Sequence, residues 1–139
     1  MPPTAMTPEQ LLAAPAEHYM NSDQQAFFRD LLLAQRLELQ ERIQRECDTL
    51  REFTQESDPI DLGSIEEQRQ WQLRLLEREK KLLDKIDSAL DRLARDEYGR
   101  CEETGEPIGL QRLLLRPTTT LSIEAKQRQE QREKHHRSA

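Results

Sequence analysis

The sequence predicts a mainly α protein: a long antiparallel coiled-coil hairpin on a small globular base, the base made of a degenerate zinc-finger-like lobe and a C-terminal helix. Three observations predict it. Two heptad-patterned stretches of similar length flank a short polar link, residues 57–64, that holds Pro59 and Gly63. Hydrophobic and charged residues each make up 35% of the chain and aromatic residues only 4%, which suits thin solvated helices that bury one stripe each better than a large compact core. After Tyr98 the texture changes, and glycines and prolines punctuate a cluster of leucines.

The elements follow in order. Residues 1–21 hold Pro2, Pro3, Pro8 and Pro15 and read as an arm with little structure of its own. Within it, Thr7-Pro8-Glu9-Gln10 can cap a short turn through Leu11 and Leu12, with Pro8 at the first helical position, and His18-Tyr19-Met20 is a candidate docking segment. The hairpin spans residues 22–98. Asn21 or Ser22 offers its N-cap. From Phe27 to about Gln55 apolar residues recur at helical spacing through Phe28, Leu32, Leu39, Ile43, Cys47 and Leu50. Leu32, Leu39 and Phe53 share a seven-residue register whose remaining place is taken by Glu46. No proline or glycine interrupts the run, which predicts one helix of roughly 29 residues, about 43 Å long.

The link 57–64 is then the tip of the hairpin. Ser64-Ile65-Glu66-Glu67 forms a capping box that starts a return helix reaching about Glu97, with Gly99 as its stop. Leu76, Leu83 and Leu90 make its heptad stripe, Ile86 and Leu93 fill the complementary register, and Leu75 and Leu82 form an adjacent apolar line. Pro59 and Gly63 oppose a helix running through the link, which favours a hairpin over a parallel intermolecular coil and predicts a monomer.

Residues 99–121 form the lobe. Cys101-x-x-Thr104 and Ser122-x-x-Ala125, with a spacer of 17, stand in the frame of two C-x2-C knuckles. Four cysteines in that frame would hold zinc tetrahedrally. Only Cys101 of the four is a good ligand, so the residues predict no bound zinc and no other tightly held cofactor. Ile108, Leu110, Leu113, Leu114 and Leu115, packed with Leu121 and Ile123, would hold the lobe instead, with hydrogen bonds from Thr104 and Ser122 in place of thiolate coordination. Residues 122–139 read as a last helix capped by Ser122 or Thr120, nearly all polar from Glu124 onward and frayed at His135-His136-Arg137.

Composition also excludes function classes. A net charge of −6 disfavours non-specific nucleic-acid binding, which rests on basic patches that neutralise phosphates. No apolar run of about 18 residues offers a membrane span, no secretory leader is visible, and two distant cysteines fit free thiols in a cytoplasmic protein. No nucleophile elbow, P-loop or HExxH motif points to an enzyme. The chain reads as a binding module. The competing readings are a transcript-cleavage cofactor holding Mg²⁺ on tip carboxylates and a plain coiled-coil scaffold.

His18-Tyr19-Met20-Asn21, Asp58-Pro59-Ile60-Asp61, Arg78-Glu79-Lys80-Lys81-Leu82-Leu83, Asp96-Glu97-Tyr98-Gly99-Arg100-Cys101, Gly105-Glu106-Pro107-Ile108-Gly109 and the stretch around Arg116-Pro117-Thr118 carry a resemblance. Over roughly residues 18–134 the chain resembles the DksA/TraR family of bacterial RNA polymerase regulators, and with one cysteine left in the finger it is similar to the zinc-independent branch of that family. The resemblance implies a hairpin inserted into the secondary channel of RNA polymerase with its tip near the active site. It also implies repression of stable-RNA promoters and activation of some biosynthetic promoters together with guanosine tetraphosphate (ppGpp) in the stringent response. It places the two tip aspartates at Asp58 and Asp61, with Gly63 where the family has alanine. It places ppGpp-related positions at Leu82, Lys85, Arg116 and Lys126, and further polymerase contacts at Arg78 and Arg112. Asp58, before Pro59, also suits a local cap, so Asp61 is the stronger functional candidate.

Overall fold

The computed structural model describes residues 6–55 and 62–137; the expected tip aspartates, Asp58 and Asp61, lie outside the described residues. The helices among the described residues are α1 (Pro8–Ala13), α2 (Ser22–Gln55), α3 (Leu62–Ala94), α4 (Leu110–Leu115) and α5 (Ile123–Arg137), with a 3₁₀ turn at Ala16–His18. Among the described residues the isolated β-bridge is Arg100 with Pro107. The chain forms two compact units, Leu33–Asp87 and the segments Met1–Leu32 with Ser88–Ala139.

Within Leu33–Asp87, α2 and α3 run antiparallel. Arg36 Nε donates to Asp87 Oδ1 at 2.6 Å, and further along Arg42 Nη1 lies 3.9 Å from Glu79 Oε1, so partners move down one helix as they move up the other. Leu39, Leu76 and Ile86 are buried and Leu83 is half-buried, as the heptad register requires. Leu82 stands at the edge of that seam: it lines a shallow groove with Leu39 and Ile86 and stays 42% exposed. The capping box at Ser64 does not start α3. The helix already includes Leu62 and Gly63, which puts Ser64 in the first turn. A glycine inside a helix costs only about 1 kcal/mol, and a Cβ at Gly63 would meet nothing, so neither propensity nor crowding stops the helix there.

In the other unit, Asn21 Oδ1 accepts from the Gln24 amide at 2.9 Å and caps α2. The helix therefore begins five residues before the apolar periodicity and runs 34 residues; periodicity marks where a helix buries a stripe, the cap marks where it starts. At the far end of α3 the Glu97 amide donates to Arg92 O at 2.8 Å and the Asp96 amide to Leu93 O at 3.2 Å, with Asp96 at φ 62. This is a Schellman stop with aspartate in the left-handed place. It ends α3 at Ala94 rather than near Glu97, and the stop residue is Asp96 rather than Gly99.

Gly99 serves a different purpose. Its φ is +86, and a Cβ there would stand 3.0 Å from Met20 Cγ and 3.1 Å from the Tyr19 hydroxyl. The open space lets Tyr19 Oη donate to Gly99 O at 2.5 Å and accept from the Gly109 amide at 3.1 Å. Burial pushes the Tyr19 hydroxyl above its ordinary pKa, which keeps it a donor, and the Arg100 guanidinium lies 5.6 Å from its ring centroid. The N-terminal segment is thus structured and docked. Thr7 and Gln10 close a reciprocal capping box on α1, Leu11 is fully buried, and α1 packs on α4.

Phe28, Leu11, Leu32 and Leu113 are fully buried in this unit. The Phe28 and Tyr98 rings lie 5.4 Å apart, and Tyr98 Oη donates to Pro117 O at 2.7 Å. The expected leucine cluster is smaller than its sequence suggests. Leu115 is 79% and Ile123 52% exposed: α4 is too short to bury more than one face, and Leu115 points about 200° away from buried Leu113 at 100° per residue. Helix α5 extends through Arg137, past the point where the sequence suggests fraying.

Tyr19→Phe should destabilise the chain by about 1–3 kcal/mol, because it strands the Gly109 amide and leaves the Gly99 carbonyl with the Ile108 amide as its remaining donor. Urea denaturation checks this, with helical circular dichroism unchanged before the transition.

Candidate functional site

The predicted contact residues of α3 share a face. Arg78, Leu82 and Lys85 are spaced by four and three residues, which aligns them on one side of the helix, and all three are exposed. Projection at 100° per residue adds three more exposed residues to that arc: Trp71, Arg74 and Lys81. The acidic residues between 71 and 85, namely Glu77, Glu79 and Asp84, fall on other sides. A chain of net charge −6 therefore presents an acid-free basic stripe bearing two exposed apolar side chains, Trp71 (56%) and Leu82 (42%). Arg74 and Lys81 were visible to the same periodicity that defined the heptads, applied to the solvent side instead of the seam.

The remaining candidates belong to the other unit. Arg112 turns inward: Nε donates to Leu121 O at 3.0 Å and Nη2 to Thr119 Oγ1 at 3.4 Å, so the side chain braces the turn that follows α4. Arg116, the C-cap of α4, is exposed. Lys126, in the first turn of α5, is half-buried and donates to Gln129 Oε1 at 3.3 Å. Leu82 and Lys85 are thus neighbours on one helix face, while Arg116 and Lys126 stand on the lobe.

The knuckle frame closes around Cys101, which is buried. The Gly105 amide donates to Cys101 O and the Cys101 amide to Glu106 O, both at 2.8 Å, and the Glu102 amide ties the first knuckle to Thr120 O at 2.8 Å. Ser122 caps α5, its Oγ accepting from the Ala125 amide at 3.2 Å. Burial pushes the Cys101 thiol up, but hydrogen bonds from the side chains and amides of Thr104 and Ser122 outweigh it and bring the pKa down to about 6. A thiol lowered to about 6 favours the thiolate near neutral pH. The four knuckle positions offer one thiolate, two hydroxyls and a methyl group. Among the described residues no group of three or more His, Cys, Asp or Glu side chains stands close enough to hold a metal ion.

Comparison with known proteins places these features. Residues 24–93 match the family described as DnaK suppressor protein DksA, N-terminal domain, and residues 96–131 match the prokaryotic dksA/traR C4-type zinc finger. The chain is 44% identical to the RNA polymerase-binding transcription factor DksA of Caulobacter vibrioides, over 87% of this chain and 86% of the relative. It is 39% identical to the protein of the same name from Escherichia coli K12, over 86% and 80%. The structure of transcription factor DksA2 from Pseudomonas aeruginosa superimposes with a TM-score of 0.88 at 68% identity, covering 93% of this chain and all of that one.

The zinc-finger match corrects the expectation of a lobe without metal or tightly held cofactor. Zinc belongs among the candidate ligands of residues 96–131, and Cys101 is the side chain that would bind it, already poised as a thiolate. The donor set departs from four cysteines, and missing cysteines alone do not exclude the metal.

Thr104→Val and Ser122→Ala should each raise the Cys101 pKa from about 6 toward the ordinary thiol value of 9.0, because each removes a donor to the thiolate. Ultraviolet thiolate absorbance against pH, on chelator-treated protein, checks this. With one match across the hairpin and another across the knuckles, and relatives aligned over most of its length, the chain belongs to the DksA/TraR family.

Proposed function

We propose that this chain is a non-enzymatic transcription factor that binds bacterial RNA polymerase as a cytoplasmic monomer. It enters the secondary channel with the link between α2 and α3 and acts with ppGpp to repress stable-RNA promoters and activate some biosynthetic ones. The observation that carries this reading is the identity of 44% and 39% to relatives named RNA polymerase-binding transcription factor DksA, spread over most of each chain. In this reading Asp61 is the working residue of the tip and Asp58 with Pro59 shapes the turn. Arg78 is a polymerase contact, and Arg112 supports one by bracing residues 119–121. Lys85 on α3 and, on the lobe, Arg116 and Lys126 each suit a polyphosphate co-regulator, since charge-assisted hydrogen bonds to phosphate are the strong ones, and Leu82 supplies an apolar contact one turn from Lys85 on α3.

Run-off transcription from a ribosomal RNA promoter tests the reading. The wild type should inhibit, and inhibit more with ppGpp. Asp61→Asn should lose most of the inhibition while still binding polymerase. Release of short RNAs from backtracked complexes would instead assign the tip carboxylates to Mg²⁺-assisted cleavage.

A further inference from the structure

Glu46 occupies a place in the Leu32, Leu39, Phe53 register, so a carboxyl stands where the seam calls for an apolar side chain. Across from it on α3 is Glu79, only 8% exposed. The two side chains come within hydrogen-bonding reach, yet Glu46 Oε2 and Glu79 Oε2 are both buried without a hydrogen-bond partner. The charged groups that act on Glu46 are Arg42 and Arg45 from its own helix and Glu79 from α3. Arg42 is exposed and shared: it lies 3.9 Å from Glu79 Oε1 and 3.7 Å from Glu38 Oε1. Among the described residues no salt bridge reaches Glu46, and the one to Glu79 is the long contact from Arg42.

Two ionised carboxylates are acceptors only and repel; one proton turns the same contact into a donor–acceptor pair. We propose that Glu46 and Glu79 hold one proton between them and that this pair makes the middle of the hairpin proton-responsive, firm when protonated and loosened when the proton leaves. Burial first, then contact with Glu79, push the Glu46 carboxyl from 4.5 up to about 7. The sign follows from linkage. The folded state binds this proton more tightly than the unfolded chain, so the stabilisation is fully present below the unfolded value and is lost as pH rises through about 7. Acidification near neutrality therefore tightens the section of Leu33–Asp87 that carries Glu46 and Glu79. The proposal does not depend on which partner the hairpin engages.

The full-length protein tests it by two readouts. The side-chain carboxyl carbon of Glu46, followed by NMR, should titrate near pH 7. Amide hydrogen-exchange protection factors around residues 43–50 and 76–83 should fall about tenfold between about pH 6 and about pH 8 in the wild type. Glu46→Gln, whose amide donates to Glu79 permanently, should abolish that fall, and Glu79→Gln provides a second variant with the same expectation. A Glu46 midpoint in the ordinary carboxyl range, or protection that falls alike in wild type and both variants, would overturn the proposal.

Discussion

The paired stripe of α2 and α3 is the constraint on which the unit Leu33–Asp87 depends. Helices this polar gain little from their own backbone bonds and form because each hides a narrow apolar face on the other. Leu39, Leu76 and Ile86 supply that face. The ion pairs at its edges, such as Arg36 with Asp87, are partly exposed and contribute at most about 1 kcal/mol each. They fix register more than they hold the helices together. A seam this thin makes any polar intrusion consequential, which is why the Glu46–Glu79 contact stands out among the many carboxylates of the chain.

The knuckle lobe solves a related problem with different means. A small lobe with few apolar residues needs something besides a core. Here the means are a sulfur surrounded by the donors of Thr104 and Ser122, a tyrosine bridge from Tyr19 to Gly99 and Gly109, and Leu11 delivered by α1. The same thiolate that accepts those hydrogen bonds is the natural zinc ligand of the C4-type finger that residues 96–131 match. Hydrogen bonding and metal binding draw on one lone-pair set at Cys101, so the residues around it bear on both.

Much of this was legible in the sequence, and the exceptions have physical causes. Helix α2, the Asn21 and Ser122 caps, the heptad leucines and the knuckle frame followed from local spacing. The start of α3 did not, because a capping box marks a start only where nothing upstream can continue the helix. The Schellman stop at Asp96 was hidden behind Gly99, since glycine is the stronger signal for a left-handed residue and here meets a packing need instead. Docking of the proline-rich N-terminal segment rests on tertiary contacts of Leu11 and Tyr19 that no local pattern carries. Glu46 was visible as an exception in the register, but its partner needed the pairing of α2 with α3. The site residues were legible unevenly: Leu82 and Lys85 fall on one exposed face as their spacing requires, whereas the inward turn of Arg112 depends on the loop it braces.

Membership of the DksA/TraR family, the basic stripe on α3 and the braced turn beside α4 converge on a protein that works by docking on a larger machine. The most direct measurement is the binding of the purified chain to bacterial core RNA polymerase in competition with the Escherichia coli relative named RNA polymerase-binding transcription factor DksA. Mutual displacement is the predicted result, weakened when Arg74, Arg78 and Lys81 are changed to glutamate. Failure to bind, or simultaneous binding of both proteins without displacement, would contradict the account.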